Sequence, residues 1–403
     1  IRQGDRAQAN YRRSETLPSK TKHDTGKSYM RKVIFISSHH FLSDRKAGFH
    51  WLAESFAKKL SWDVLFVTAP ISLISLFAGD HRIRYLKFRQ INRAIPVDSN
   101  TRSYIFFTML HPCETRKTRY KIINYVSAIT SKTYGIILPS SLKKEVNAAD
   151  VIVFESTEAL LLFEKFCRIN PSAKKVYRAS DDLETIGASR YVINYEQKIA
   201  PKFDLISVPS EYIFRKFAHL PNARLHYHGI NKELFSKHYD KPKEYAKFEK
   251  NFVFVGTSHF DYDFITTAAE SFPRWGFHII GPLAKVGESS NLLYYGEMPF
   301  VRTIPYIQYA DAGLQNRISD RGLASLSDSL KVLQYTYCKL PIIAPVGLRS
   351  SRKNFVYYAP GEKDSIRTAL ARAVEYDRGS IDSSNVHSWD ELAELLIEEA
   401  YKK

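Results

Sequence analysis

Residues 149–190, ADVIVFESTEALLLFEKFCRINPSAKKVYRASDDLETIGASR, decide the fold. Asp150-Val151-Ile152-Val153-Phe154 is apolar and β-branched, as suits a strand covered on both faces. From Thr157 to Cys167 apolar residues recur at helical spacing, and Asn170-Pro171 stops the run. Val176-Tyr177 opens a second strand that ends in Arg178-Ala179-Ser180-Asp181-Asp182. A helical pattern resumes near Thr185. Strand, helix, strand, helix predicts a parallel α/β sheet. In such sheets the chemistry sits in the crevice beyond the carboxyl ends of the strands. Glu155 and Asp181 both fall there, and a carboxylate in that place can act as a general base. The competing role for Asp181 is to cap the helix that follows, and Asp182 suits that role equally well.

The flanks repeat the pattern. Lys32–Ser38 reads as a strand, His39 to Gly48 as a polar loop, Phe49–Leu60 as an amphipathic helix and Asp63–Thr68 as a second strand. This βαβ unit predicts a right-handed, Rossmann-like half. No GxGxxG follows the first strand, which argues against a dehydrogenase. Ile137–Leu138 ends a minor strand, Ser140–Ala148 is a helix, and Leu205–Pro209 and Leu225–Gly229 are strands. A second βα series starts at Phe252–Thr257. It continues through strands at Gly276–Pro282, Leu292–Tyr295, Gly313–Gln315 and Pro341–Pro345, with helices at Phe264–Phe272, Thr303–Ala310, Asp328–Lys339, Asp364–Tyr376 and Trp389–Tyr401. The expected organisation is a leader over 1–29, a first domain over 30–231, a charged linker over 232–250, a second domain over 251–385 and a last helix within 386–403.

The charge is lopsided. Of a formal +17, residues 1–150 hold 26 Lys and Arg against 11 Asp and Glu. A basic face of this kind suits an anionic membrane, an acidic substrate or nucleic acid. With no recognisable nucleic-acid module, the last is set aside. Residues 71–93 mix apolar side chains with Arg82, Arg84, Lys87, Arg89 and Arg93. They read either as a membrane-facing patch or as a core helix running into a solvated strand. The longest apolar run, Val64 to Ala78, is too short and too interrupted to span a bilayer, and the leader lacks the apolar core of a secretory signal. Three scattered cysteines, Cys113, Cys167 and Cys338, suggest neither a disulfide framework nor a zinc site. The expected location is cytoplasmic, peripheral on the inner face of the cell membrane.

Asp150–Ser156, Asn170–Pro171 and Val176–Asp181, followed by Leu183, Thr185 and Ile186, resemble the central block of the GumK family. These are membrane-associated glucuronosyltransferases of xanthan-type exopolysaccharide assembly. The likeness runs with gaps from about residue 32 to about residue 370. It implies a GT-B fold, in which two Rossmann-like domains face each other across a cleft and a C-terminal helix returns to the first. It also implies an inverting, metal-independent transfer from UDP-glucuronate to a polyprenyl-diphosphate-linked oligosaccharide, with no cofactor. Asp181 becomes the general base, with His39 the competitor for that role. His228-Gly229-Ile230-Asn231 resembles the turn at the interdomain junction of GT-B enzymes.

The family's donor contacts map onto Gly256, Ser258, Glu297, Met298, Ser329, Leu330, Lys331 and Gln334, and Arg317 falls near a donor-site tyrosine. The physical logic stands beside the resemblance. A helix starting at Asp328-Ser329 offers free N–H groups to a diphosphate, and Lys331 adds charge one turn inside it. Glu297 can accept from ribose hydroxyls. The plain alternatives are a capped helix with an exposed lysine, and a solvated glutamate. Acceptor contacts are expected from His39, His50, Arg116 and Glu155. Ser258 and Leu330 replace family methionines, Asp328 stands near a family serine, and the loop between Arg317 and Asp328 is a residue shorter. These departures leave open another UDP-sugar, or a non-catalytic nucleotide-sugar-binding scaffold.

Overall fold

The apolar run at 151–154 sits in the middle of a large parallel sheet. A computed structural model describes residues 30–43, 46–77, 80–85, 90–112, 129–257, 259–287, 289–318 and 323–402. Among the described residues the first sheet has eight strands. Their order is β3 (Ala94–Pro96), β4 (Thr101–Thr108), β2 (Asp63–Ser72), β1 (Lys32–Ser37), β5 (Val151–Glu155), β6 (Lys174–Arg178), β7 (Leu205–Val208) and β8 (Ala223–Leu225). All pairs are parallel except β3 with β4. The register sets Phe35 beside Val153 and Val153 beside Val176, so β1, β5 and β6 end together.

Alternation along these strands builds two cores. On one face Ile34, Ile152, Phe154 and Tyr177 pack with side chains of the helices Ser140–Asn147, Phe163–Ile169 and Arg190–Ile199. On the other, Val33, Phe35, Val151 and Val153 pack with the helix Gly48–Lys58 and with Trp389, Leu392, Ala393, Leu396 and Ile397 of the final helix, Trp389–Tyr401. The final helix therefore does return to the first half of the chain. Ser388 accepts from Glu391 N–H while Glu391 accepts from Ser388 N–H, a reciprocal cap that starts the helix where the sequence placed it.

The second sheet orders β11 (Leu292–Gly296), β10 (Trp275–Ile280), β9 (Lys250–Val255), β12 (Ala312–Leu314), β13 (Ile342–Pro345) and β14 (Phe355–Tyr358). All of its pairs are parallel. The chain passes between the sheets twice, side by side. Ile230 N–H donates to His387 O at 2.9 Å, and Ile230 bridges Ser388. A Cβ at Gly229 would lie 2.7 Å from the Cα of Trp389, so only glycine lets the two crossings touch.

Several expectations are corrected. No helix begins near Thr185. Asp182 closes a turn by accepting from Thr185 N–H and Oγ1–H, Gly187 takes a positive φ of 84°, and the helix waits until Arg190. Strand β8 ends at Leu225 instead of running to Gly229, and Ile137–Leu138 form no strand. The segment 232–250 is no free linker, because Phe235 and Tyr245 are buried in the core of the second half. Strands β3, β4 and β14 were not foreseen. The expected leader, 1–29, lies outside the described residues.

Leu392 is fully buried against the first sheet. Leu392→Ala is expected to cost about 2–5 kcal/mol. Urea unfolding checks this, through a lower midpoint of the transition that also unfolds the first half.

Candidate active site

The carboxyl ends of β1, β5 and β6 bring three of the nominated residues together. Ser37, the last residue of β1, donates its hydroxyl to Glu155, the last residue of β5. The same oxygen accepts from His39 N–H at 2.9 Å, and His39 Nε2 stands 3.8 Å from Glu155 Oε1. Asp181, on the loop after β6, donates its N–H to Ser156 Oγ at 2.9 Å. Glu155 is buried. Loss of solvent, reinforced by the charge of Asp181, raises its pKa to about 8 against the hydrogen bonds from Ser37 and the Ser38 backbone. Asp181 is exposed at the surface beside these groups. Desolvation and the neighbouring Asp182 raise its pKa as well, which makes it a better base. Asp182 differs: burial pushes its pKa up, but Thr185 and Lys216 outweigh this and hold it below the usual range.

His50 plays another part than the one expected. It is fully buried, Nδ1 accepts from Ala47 N–H at 3.0 Å, and Nε2 donates to His40 O at 2.9 Å. Both ring nitrogens are spent on the backbone of the loop before the helix Gly48–Lys58. Burial lowers its pKa, so it stays neutral and organises that loop instead of facing an acceptor. Arg116, like Asp44, lies outside the described residues.

The second half-site is a cleft of about 590 Å³ between the two sheets. Gly256, Glu297, Met298, Leu330 and Gln334 line it, joined from the first half and the crossings by Lys46, Trp51, Ile230, Asn231 and Trp389. Its floor is made by close backbone approach. Gly281 has φ +145°, and a Cβ there would stand 1.8 Å from Gly256 O. Gly256 in turn leaves room for the Lys331 ammonium, 3.2 Å from where its own Cβ would be.

Lys331 enters from the first turn of the helix Leu330–Tyr337 and is buried. Its Nζ lies 3.8 Å from the centroid of the Phe254 ring. Among the described residues neither Lys331 Nζ nor Arg317 Nε has a hydrogen-bond partner. Desolvation, with Arg317 nearby, pushes the lysine pKa well below its usual value, and desolvation lowers that of Arg317 too. Buried cations ordinarily have anions beside them. Lys331 is buried and Arg317 half-buried, the two lie within Coulomb range of each other, and among the described residues no carboxylate pairs with Lys331 Nζ.

The start of that helix departs from expectation. Asp328 does not face the cleft; it is buried and paired with Arg352 Nε at 3.2 Å. Ser329 occupies the cap position, yet its hydroxyl accepts from Gln315 Nε2 at 3.2 Å instead of from the helix. Ser258 lies outside the described residues. Asp181, Glu155 and His39 are not among the walls of the cleft. Neither are Arg317, Ser329 and Lys331: the carboxylates stand at the end of the first sheet, and the lysine lies on the second, behind the wall that Gly256 and Leu330 give the cleft. Among the described residues no group of three or more His, Cys, Asp or Glu side chains could hold a metal ion.

Two sheets, parallel but for the β3–β4 pair, with helices on both faces, a cleft between them and a final helix returning to the first half define the GT-B fold of glycosyltransferases. Solved structures agree at the level of fold. Anabaena HepE in complex with UDP and glucose covers 92% of this chain and 97% of its own, at a TM-score of 0.54 and 12% identity. A UDP-forming α,α-trehalose-phosphate synthase from Burkholderia xenovorans covers 92% and 100%, at a TM-score of 0.56 and 10% identity. Sequence comparison narrows the class. Residues 35–209 match the family model of the glucuronosyltransferase GumK N-terminal domain. The UDP-glucuronate:glycolipid 2-beta-glucuronosyltransferase of Xanthomonas campestris pv. campestris is 31% identical over 348 residues, covering 86% of this chain and 84% of that one. The chain belongs to the GumK glucuronosyltransferase family.

The raised pKa of Glu155 has a defined sign. A carboxyl group whose folded pKa lies above its unfolded value adds stability that is complete below pH 4.5 and is lost as the pH rises through about 8. Urea melts at about pH 6 and about pH 9 should show the parent weakening over that interval. Glu155→Gln, which keeps the shape without the charge, should lose this component and exceed the parent at the higher pH.

Proposed function

We propose that this glycosyltransferase transfers glucuronate from UDP-glucuronate to a lipid-linked oligosaccharide, with inversion. The single observation that carries the donor assignment is the pair of unneutralised cations, Lys331 and Arg317, behind the cleft. A nucleotide sugar with a uronate brings a diphosphate and a carboxylate, enough charge for both. The named substrates of the Xanthomonas relative are of this kind.

The reaction follows from the half-sites. An acceptor hydroxyl attacks the anomeric carbon from the face opposite the nucleotide. The new C–O bond forms as the bond from that carbon to the diphosphate oxygen breaks. Asp181 takes the hydroxyl proton, and the electron pair leaves on UDP. Lys331 and the free N–H groups at the start of the helix Leu330–Tyr337 take up the developing charge. One carboxylate suffices because no glycosyl-enzyme intermediate forms. The reading gives the neutralisation of the diphosphate to Lys331 and the helix start, so no step draws on a metal ion.

Asp181→Asn is expected to lower transfer by about 10²–10⁴-fold while UDP binding persists. Near-normal turnover would remove Asp181 from the mechanism and promote His39. For the donor, calorimetry should find UDP-glucuronate bound more tightly than UDP-glucose, with Lys331→Ala weakening both. Equal affinities in the parent would leave a general UDP-sugar site.

A lipid-linked acceptor requires the enzyme to reach a bilayer, and among the described residues no helix is long and apolar enough to cross one. The patch at 71–93 needs revision as the point of contact. Arg82 is committed to Asp80 and to Ser38 O at 2.8 Å, while Lys87 and Arg89 lie outside the described residues. Large apolar side chains exposed on the first half offer a better surface: Met109, Leu110, Ile136 and Ile137, the last 86% exposed. Replacing Ile136 and Ile137 with Ser is expected to reduce co-sedimentation with anionic liposomes and to slow transfer to a lipid-linked acceptor more than to a soluble analogue. Unchanged co-sedimentation would place the contact elsewhere.

A further inference from the structure

Arg178 is 2% exposed, and the hydrogen bonds of its guanidinium go to neutral acceptors. It donates to Ser207 Oγ at 2.7 Å and His226 O at 2.7 Å, with Tyr227 O farther away at 3.4 Å. Desolvation lowers its pKa to about 9. A buried cation held by carbonyls is an expensive way to fill space, so its position is informative. Arg178 is the last residue of β6, three before Asp181, and it grips the chain where it leaves the first sheet for the second.

The contacts continue. The Tyr227 ring lies under the guanidinium of Arg352, whose Cζ is 4.4 Å from the ring centroid. Arg352 donates to Asn385 Oδ1 at 2.8 Å, on the returning crossing, and to Asp328 Oδ1 at 3.2 Å. Asp328 directly precedes Ser329, the cap of the helix that carries Lys331. One side chain, Arg352, thus touches both crossings and the start of the donor helix, while Arg178 joins the outgoing crossing to the loop of Asp181.

We infer that Arg178, Tyr227, Arg352 and Asp328 form a positioning chain that holds the Asp181 loop and the Lys331 helix in mutual register across the two crossings. This rests on the reading of Asp181 as base and of the Lys331 cleft as donor site. None of the four is a catalytic residue. Buried ion pairs contribute little net stability and are well suited to fixing geometry. A chain of packed and hydrogen-bonded groups can carry coupling between two sites, and only a perturbation experiment demonstrates it.

The test perturbs the second half and reads the first, using the full chain. Arg352→Met is combined with Asp328→Asn so that no buried carboxylate is left unpaired. Tyr227→Leu, which keeps the backbone carbonyl, serves if that pair does not fold. Hydrogen exchange without ligand should show the amides of 179–187 exchanging about tenfold faster in either variant. Exchange altered only near 323–337 and 385–389, with 179–187 unchanged, would overturn the inference. A second measurement concerns catalysis. The variants should lose about tenfold in kcat with UDP affinity within about threefold of the parent, and adding Arg178→Lys should cause no further loss. Additive losses would overturn it. A parent that transfers no sugar would instead defeat the proposed function, and the exchange experiment would still decide whether the two loops are coupled.

Discussion

An ammonium group buried against an aromatic ring, with a second cation near it and no anion, is the constraint around which the second half is built. Taking such a group out of water is costly, and an aromatic face returns only part of that cost. The fold holds Lys331 there through the helix Leu330–Tyr337, Phe254 on β9 and the glycines at 256 and 281. Any side chain at 281 would collide with Gly256 O, so the close approach that makes the floor of the cleft requires glycine. Burial, with Arg317 nearby, pushes the lysine pKa well below its usual value. Binding a polyanion would reverse this, which is the reason to read the cleft as a nucleotide-sugar site.

The first half presents the opposite electrostatics. Glu155 and Asp181 share one sheet end, and desolvation raises both pKa values, reinforced at Glu155 by the charge of Asp181 and at Asp181 by that of Asp182. Glu155 is buried, with Ser37 and His39, and is the one held protonated near neutrality; Asp181 is exposed. A neutral acid beside an ionised one separates the roles of two similar groups. In the proposed reaction Glu155 shapes the pocket and Asp181 accepts the proton. Cationic and anionic half-sites on separate sheets have to be presented to one substrate pair. The two chain crossings, closed by Gly229 against Trp389, are where that geometry is set.

Much of this was legible in the sequence for identifiable reasons. Strands covered on both faces read as apolar runs, so β1, β5, β9, β10 and β13 stood out. Helix Trp389–Tyr401 begins and ends where the sequence reading placed it, and the reciprocal cap between Ser388 and Glu391 accounts for its start. Strand β4 was missed because Thr101-Arg102-Ser103 opens it with polar residues, Arg102 being drawn to Asp63 and Glu145 by tertiary contacts. The helix expected near Thr185 failed because Asp182 bonds locally to Thr185 and diverts the backbone into a turn. His50 looked available from its neighbours in sequence, whereas the loop folds back onto both ring nitrogens. Lys331 could be nominated from its place one turn into a helix, but its isolation depends on Phe254, 77 residues earlier. Arg178 and Arg352 gave no local signal, since their partners are carbonyls, a ring and a carboxylate brought by the fold.

The central claim is that an anionic ligand completes the charge of the Lys331 pocket. If so, binding raises the lysine pKa from its depressed value and the protein takes up protons. Titration calorimetry of UDP at about pH 8, in two buffers of different ionisation enthalpy, measures this directly. The account predicts net proton uptake in the parent that disappears in Lys331→Met. Binding with identical heats in both buffers would show that the lysine is not the group the ligand neutralises, and would contradict it.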